Sequence, residues 1–122
     1  MEPVLMMQTS AALLTIAAIG GVAMALIRFA RNANPPSWLA MLHGLFAASA
    51  LILLLYSYFT AGLPVVACWA LLFFLVAAAG GAYLNLGFHA KGLVLPKAIV
   101  LAHGATAVVG FVLLLLAVLA AR

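Results

Sequence analysis

The chain has 122 residues, room for one small domain. It is 70% hydrophobic and 5% charged, where a soluble domain carries about 25% charged residues, so water cannot be the solvent for most of its surface. The formal net charge of +4 is spread over residues that border apolar runs, which leaves no basic face for a nucleic acid and excludes that partner.

Spanning the hydrocarbon core takes about 20 apolar residues, and four runs qualify in chain order. The first extends from about Leu5 to Phe29, with no charge between Glu2 and Arg28. Glu2 in place of a basic leading segment, before a run long enough to span, argues against a cleaved leader. Asn32-Ala33-Asn34-Pro35-Pro36-Ser37 then breaks the pattern, with Ser37 a candidate N-cap. The second run covers 38–59. Thr60-Ala61-Gly62-Leu63-Pro64 turns it into the third, 65–86, and a loop from Gly87 to Pro96 leads to the fourth, 98–121. An unclosed sheet would leave backbone groups unpaired in lipid, so all four are read as helices. Trp38, Tyr56, Tyr58, Trp69 and Tyr83 fall towards helix ends, where amphipathic rings favour the membrane interface. Cys68 stands alone within an apolar run, which gives no disulfide framework.

A shift of 60 residues lays the chain on itself. Ala17-Ala18-Ile19-Gly20-Gly21 falls on Ala77-Ala78-Ala79-Gly80-Gly81, Pro36 on Pro96, His43-Gly44 on His103-Gly104, and Leu53-Leu54-Leu55 on Leu113-Leu114-Leu115. Alanine and leucine matches are cheap in this composition, whereas a histidine, a proline and glycine pairs in one frame are not. The expected fold is therefore an all-α integral membrane bundle of four transmembrane helices, one domain over 1–122. It is built from a tandem, parallel repeat of two helical hairpins, about 11–60 and 71–120. The loops near 28–37 and 87–97 hold Arg28, Arg31, Lys91 and Lys97. Basic loops mark the cytoplasmic side, so both termini are expected outside it, in a bacterial inner membrane.

Ionisable residues inside a membrane are costly and mark function by default. His43 lies five residues beyond Trp38, about 7.5 Å into its helix, and the repeat sets His103 at the same depth on an equivalent helix. Ala40, Ala47, Ala50 and Leu54 share the stripe of His43, and Val100, Ala107, Gly110 and Leu114 that of His103. Gly20, Gly21, Gly80 and Gly81 are expected level with Ala47 and Ala107. Together they would form a small-residue belt under two facing imidazoles, a slot for a flat ring. Neutral imidazole ligates iron, copper or zinc. His89 pairs with Phe29 in the repeat and reads as a solvated loop residue.

With its matched His43-Gly44 and His103-Gly104, the chain resembles small b-type membrane cytochromes, in which a duplicated hairpin holds haem between histidines of a four-helix bundle. That resemblance implies one six-coordinate haem b on His43 and His103. It also implies propionates near Arg28, Arg31, Lys91 and Lys97, and one-electron transfer with a quinone or another cytochrome. The chain departs from larger members, which carry four such histidines and two haems. Two other readings stand beside it. In one, the protein is a structural or assembly subunit, or a homo-oligomer, whose small residues serve helix packing. In the other it is a small channel or transporter, a reading weakened by the scarcity of polar residues in the spans.

Overall fold

The computed structural model describes residues 2–122. The helices are α1 (Pro3–Ala30), α2 (Ser37–Thr60), α3 (Val65–Gly87) and α4 (Lys97–Ala120), with one 3₁₀ turn at His89–Lys91. All four are long and apolar enough to cross a membrane; a 24-residue helix such as α2 rises about 36 Å, against a hydrocarbon core of about 30 Å. Their outward faces agree with that solvent: Ile19, Leu26, Met41, Ile52, Val76 and Val108 are all exposed. The hydroxyls on these surfaces donate back into their own helices. Thr9 bonds the Leu5 carbonyl, Ser49 that of Leu45 and Thr106 that of Ala102, each at 2.7–2.8 Å, which removes a polar group from contact with hydrocarbon.

Prolines, not polar caps, start the helices. Pro3 opens the first turn of α1, while Pro36, Pro64 and Pro96 occupy the N-cap positions of α2, α3 and α4. Proline's fixed φ suits the extended backbone before a helix, and the Pro36 carbonyl accepts from the amides of Leu39 and Ala40 at 3.1 and 3.3 Å. Ser37 is accordingly the first helical residue of α2 and makes no capping bond, which corrects the expectation that it would be the cap. At the loops, Gly62 and Gly92 take left-handed φ values of 79° and 68°, a conformation open to glycine because it lacks Cβ.

Helix α1 packs chiefly on α2 and α3 chiefly on α4, with lesser α1–α4 and α2–α3 contact joining the hairpins. The core lies in the half of the bundle that holds the termini and the 60–64 turn. Met7, Ala11 and Leu14 of α1 meet Ala50 and Leu54 of α2, Ala67, Leu71 and Phe74 of α3, and Leu114 and Val118 of α4. Towards the other end the packing opens. No residue of α2 before Ala50 is buried, and none of α4 before Gly110. The histidines stand in that open half.

Candidate functional site: the paired histidines

Each histidine is anchored across its own hairpin. His43 Nδ1 lies 2.7 Å from the carbonyl oxygen of Ala17, and His103 Nδ1 lies 2.7 Å from that of Ala77. A carbonyl only accepts, so Nδ1 carries a proton in both rings, and in the neutral imidazole Nε2 then holds the lone pair. Among the described residues no protein group bonds either Nε2. The anchored rings then meet across the bundle, with centroids 6.1 Å apart and planes at 75°.

The glycines explain how the rings are seated. A Cβ at Gly21 would stand 3.1 Å from His43 Cε1, and one at Gly81 would stand 3.0 Å from His103 Cε1. Gly20 and Gly80 face the Cβ atoms of the same histidines at 3.7 Å. The glycines are thus level with the imidazoles, not with Ala47 and Ala107 as the sequence suggested. The space they release is filled by the histidine rings themselves. Ala47 and Ala107 lie one turn further along α2 and α4, half-buried. Gly44 and Gly104, the glycines of the matched His-Gly pairs, face nothing within 4 Å.

The donor set narrows what such a pair holds. Among the described residues no group of three or more His, Cys, Asp or Glu side chains comes together, so zinc, which is bound by four donors, lacks its ligands here. A metal that already carries four donors in a planar ring needs only two more, one on each side. An Nδ1–H donated to a backbone carbonyl is the usual way a ligating imidazole is oriented and its tautomer set. Two imidazoles with Nδ1 committed and no further donor beside them are a donor set that suits a haem iron.

The basic residues lie on the loop face. Arg28 is buried, 8% exposed, and its Nε donates to the Leu95 carbonyl at 2.7 Å. Lys97 Nζ donates to Asn32 Oδ1 at 2.7 Å and lies 5.4 Å from the centre of the Phe29 ring. Arg31 caps the end of α1 and Lys91 ends the 3₁₀ turn, both exposed.

Two loop residues do more than their sequence context suggested. The Asn34 side chain donates to the Leu93 carbonyl at 2.7 Å and accepts from the Leu95 amide at 3.0 Å. His89 Nε2 lies 2.8 Å from the Pro35 carbonyl, which ties the two loops together and makes His89 a half-buried link instead of a solvated residue. The only signals in sequence were an asparagine and a histidine opposite prolines in loops of similar length, a pattern with no specificity.

The architecture defines a class, an all-helical protein whose four helices are fit to span a membrane. Compared with protein-family models, curated proteins and solved structures, the chain matches none.

Proposed function

We propose that this protein is a membrane haem carrier in which His43 and His103 bind one haem b from opposite sides, and that it passes single electrons. The observation that carries this reading is the pair of imidazoles 6.1 Å apart, each with Nδ1 committed to a backbone carbonyl. A haem bound in this way supplies one-electron chemistry between ferric and ferrous iron. The protein's own residues do the rest. Ala17 and Ala77 hold the imidazoles in the ligating tautomer, and Gly21 and Gly81 let the rings lie against α1 and α3. Around the imidazoles the first halves of α2 and α4 bury no residue, while the loop end beyond them is tied by hydrogen bonds between the hairpins. The matched hairpin contacts, both joining residues 26 apart in sequence, support a tandem duplication of one hairpin. Such a repeat puts two identical ligands on one axis. By the distribution of basic residues the loop face is cytoplasmic. The electron partner on this reading is a quinone or a second cytochrome.

The reading is tested on protein purified in detergent after expression with ample haem. A reduced-minus-oxidised visible spectrum should show the bands of a six-coordinate b-type haem, and both His43→Ala and His103→Ala should abolish them. A featureless spectrum, or full haem content in either variant, overturns it.

A second reading rests on the same bonds. The 2.7 Å contacts to Ala17 and Ala77 are also interhelical fasteners, and in a structural subunit they would need no ligand. His103→Gln separates the two, because glutamine keeps an N–H donor and removes the imidazole. Fastening alone predicts folded protein with properties unchanged; haem ligation predicts folded protein that has lost its pigment.

A further inference from the structure

Arg28 presents a problem that membrane topology does not solve. A topology determinant needs only to lie near a loop, yet Arg28 is 8% exposed with its Nε spent on the Leu95 carbonyl. Its two NH₂ groups have no acceptor among the described residues and reach the surface of the bundle. A guanidinium held with its NH₂ groups at the surface is set to take an anion, and the one acidic side chain of the protein, Glu2, precedes α1 at the opposite end of the bundle. Lys97 converges on the same place. It is two residues from Leu95, and its Nζ reaches Asn32 and the Phe29 ring at the end of α1. Two cations thus each bond across the junction where α1 ends and α4 begins, with no anion of the protein in reach. The positions 60 residues away, Phe88 and Ser37, carry no charge, so the other junction between the hairpins lacks this feature.

On the exposed outer side of the α1–α4 junction runs an open apolar groove, lined by Val22, Ala25, Leu26, Phe29 and Leu101. Its registry with the charges follows from helix geometry. Leu101 is four residues beyond Lys97 and so shares its face, while Arg28 stands about 100° round α1 from Phe29 on the buried side and approaches the same junction through its bond to Leu95. Phe29, which lies under Lys97 Nζ, forms the mouth. From Phe29 to Val22 the groove descends about 10 Å towards the bilayer centre. Anionic head above, hydrocarbon tail below is the shape of one molecule that surrounds the protein.

We infer that the α1–α4 junction is a binding site for an anionic phospholipid, whose phosphate pairs with Arg28 and Lys97 while one acyl chain lies in the Val22–Leu101 groove. This site is independent of the histidine reading. A guanidinium already oriented through Nε offers its remaining N–H groups to phosphate in a fixed direction. Cationic pockets between helices at the headgroup level are suited to anionic lipids.

The test is native mass spectrometry of delipidated protein in detergent, titrated with phosphatidylglycerol or phosphatidylcholine of the same acyl chains, or with inorganic phosphate. One phosphatidylglycerol should be retained in preference to phosphatidylcholine, and inorganic phosphate should not displace it. Arg28→Gln and Lys97→Gln should each weaken retention roughly fivefold. Ala25→Phe, which fills the groove and spares both cations, should weaken it too, with helix content by circular dichroism confirming that the variants fold. Equal retention of the two lipids, unchanged retention in Lys97→Gln, or phosphate competing as well as the lipid overturns the site. The His43→Ala/His103→Ala protein should bind the lipid as the parent does. Retention only when haem is absent would assign the cations to haem propionates and overturn the proposal, leaving the haem reading standing.

Discussion

A methyl group at Gly81 would lie 3.0 Å from Cε1 of His103, and one at Gly21 would lie 3.1 Å from Cε1 of His43. These contacts are too short for a helix neighbour to accept without moving the ring, and the ring is held by its bond to a carbonyl. Gly81→Ala should therefore destabilise the protein by about 1–3 kcal/mol, the usual cost of overpacking, and should shift or weaken any haem spectrum. Gly104→Ala faces open space and should be neutral or slightly stabilising, because alanine is the better helix former. Denaturation of the two variants in detergent compares them; equal stability would remove the steric role assigned to Gly81. Ser57 provides a second contrast. Its hydroxyl is fully buried without a hydrogen-bond partner, whereas Ser10 Oγ, equally buried, donates to the Ala50 carbonyl at 3.2 Å. Sixty residues on from Ser57 stands Ala117, also buried. Ser57→Ala should thus raise stability by about 1 kcal/mol, the desolvation penalty of an unmade bond. A loss of that size would show that the hydroxyl does find a partner.

Between elements, the hairpins are joined at opposite ends by different physics. Near the termini the joint is apolar, with Leu54, Phe74 and Leu114 in one cluster. At the loop face it is polar, and much of it passes through Asn34, whose side-chain amide bonds both Leu93 and Leu95 as a neighbouring strand would. Arg28 and His89 add bonds to Leu95 and Pro35. Asn34→Ala leaves the Leu95 amide and Leu93 carbonyl without these partners, and should cost about 1–3 kcal/mol. Hydrogen exchange locates the effect: the Leu95 amide should lose protection while α3 and α4 keep theirs. Unchanged protection at Leu95 would mean that the loops are held by the remaining contacts alone. The bounds of these helices were legible in sequence to within about two residues at each end, because apolar runs and prolines mark them directly. Ser37 was misread because an N-cap serine and a serine after an N-cap proline look alike until the backbone angles are known.

At the scale of the whole molecule, four spans return the chain to its starting side, so both ends of the described chain share one face and the two basic loops share the other. If basic residues orient this bundle as they do others, a reporter inserted at Ala33 should read as cytoplasmic and one after Arg122 as external. Replacing Arg31 and Lys91 by glutamine should then blur the distinction. A fixed opposite orientation would assign the loop charges to another role and leave the α1–α4 lipid site on the outer leaflet. Composition by itself determined that lipid is the solvent and that helices are the form, since six charged side chains in 122 residues cannot hydrate a surface and backbone groups in hydrocarbon must bond within their own segment. It also singled out His43 and His103, because polar residues are rare enough in such spans to be conspicuous. The tertiary structure alone decided what surrounds them. Which carbonyl meets each Nδ1, that the glycines make room for the imidazoles, and that Arg28 is buried against Leu95 while Lys97 reaches Asn32 all depend on how antiparallel helices slide in register. A sliding offset of one turn leaves every apolar pattern intact while it exchanges every neighbour.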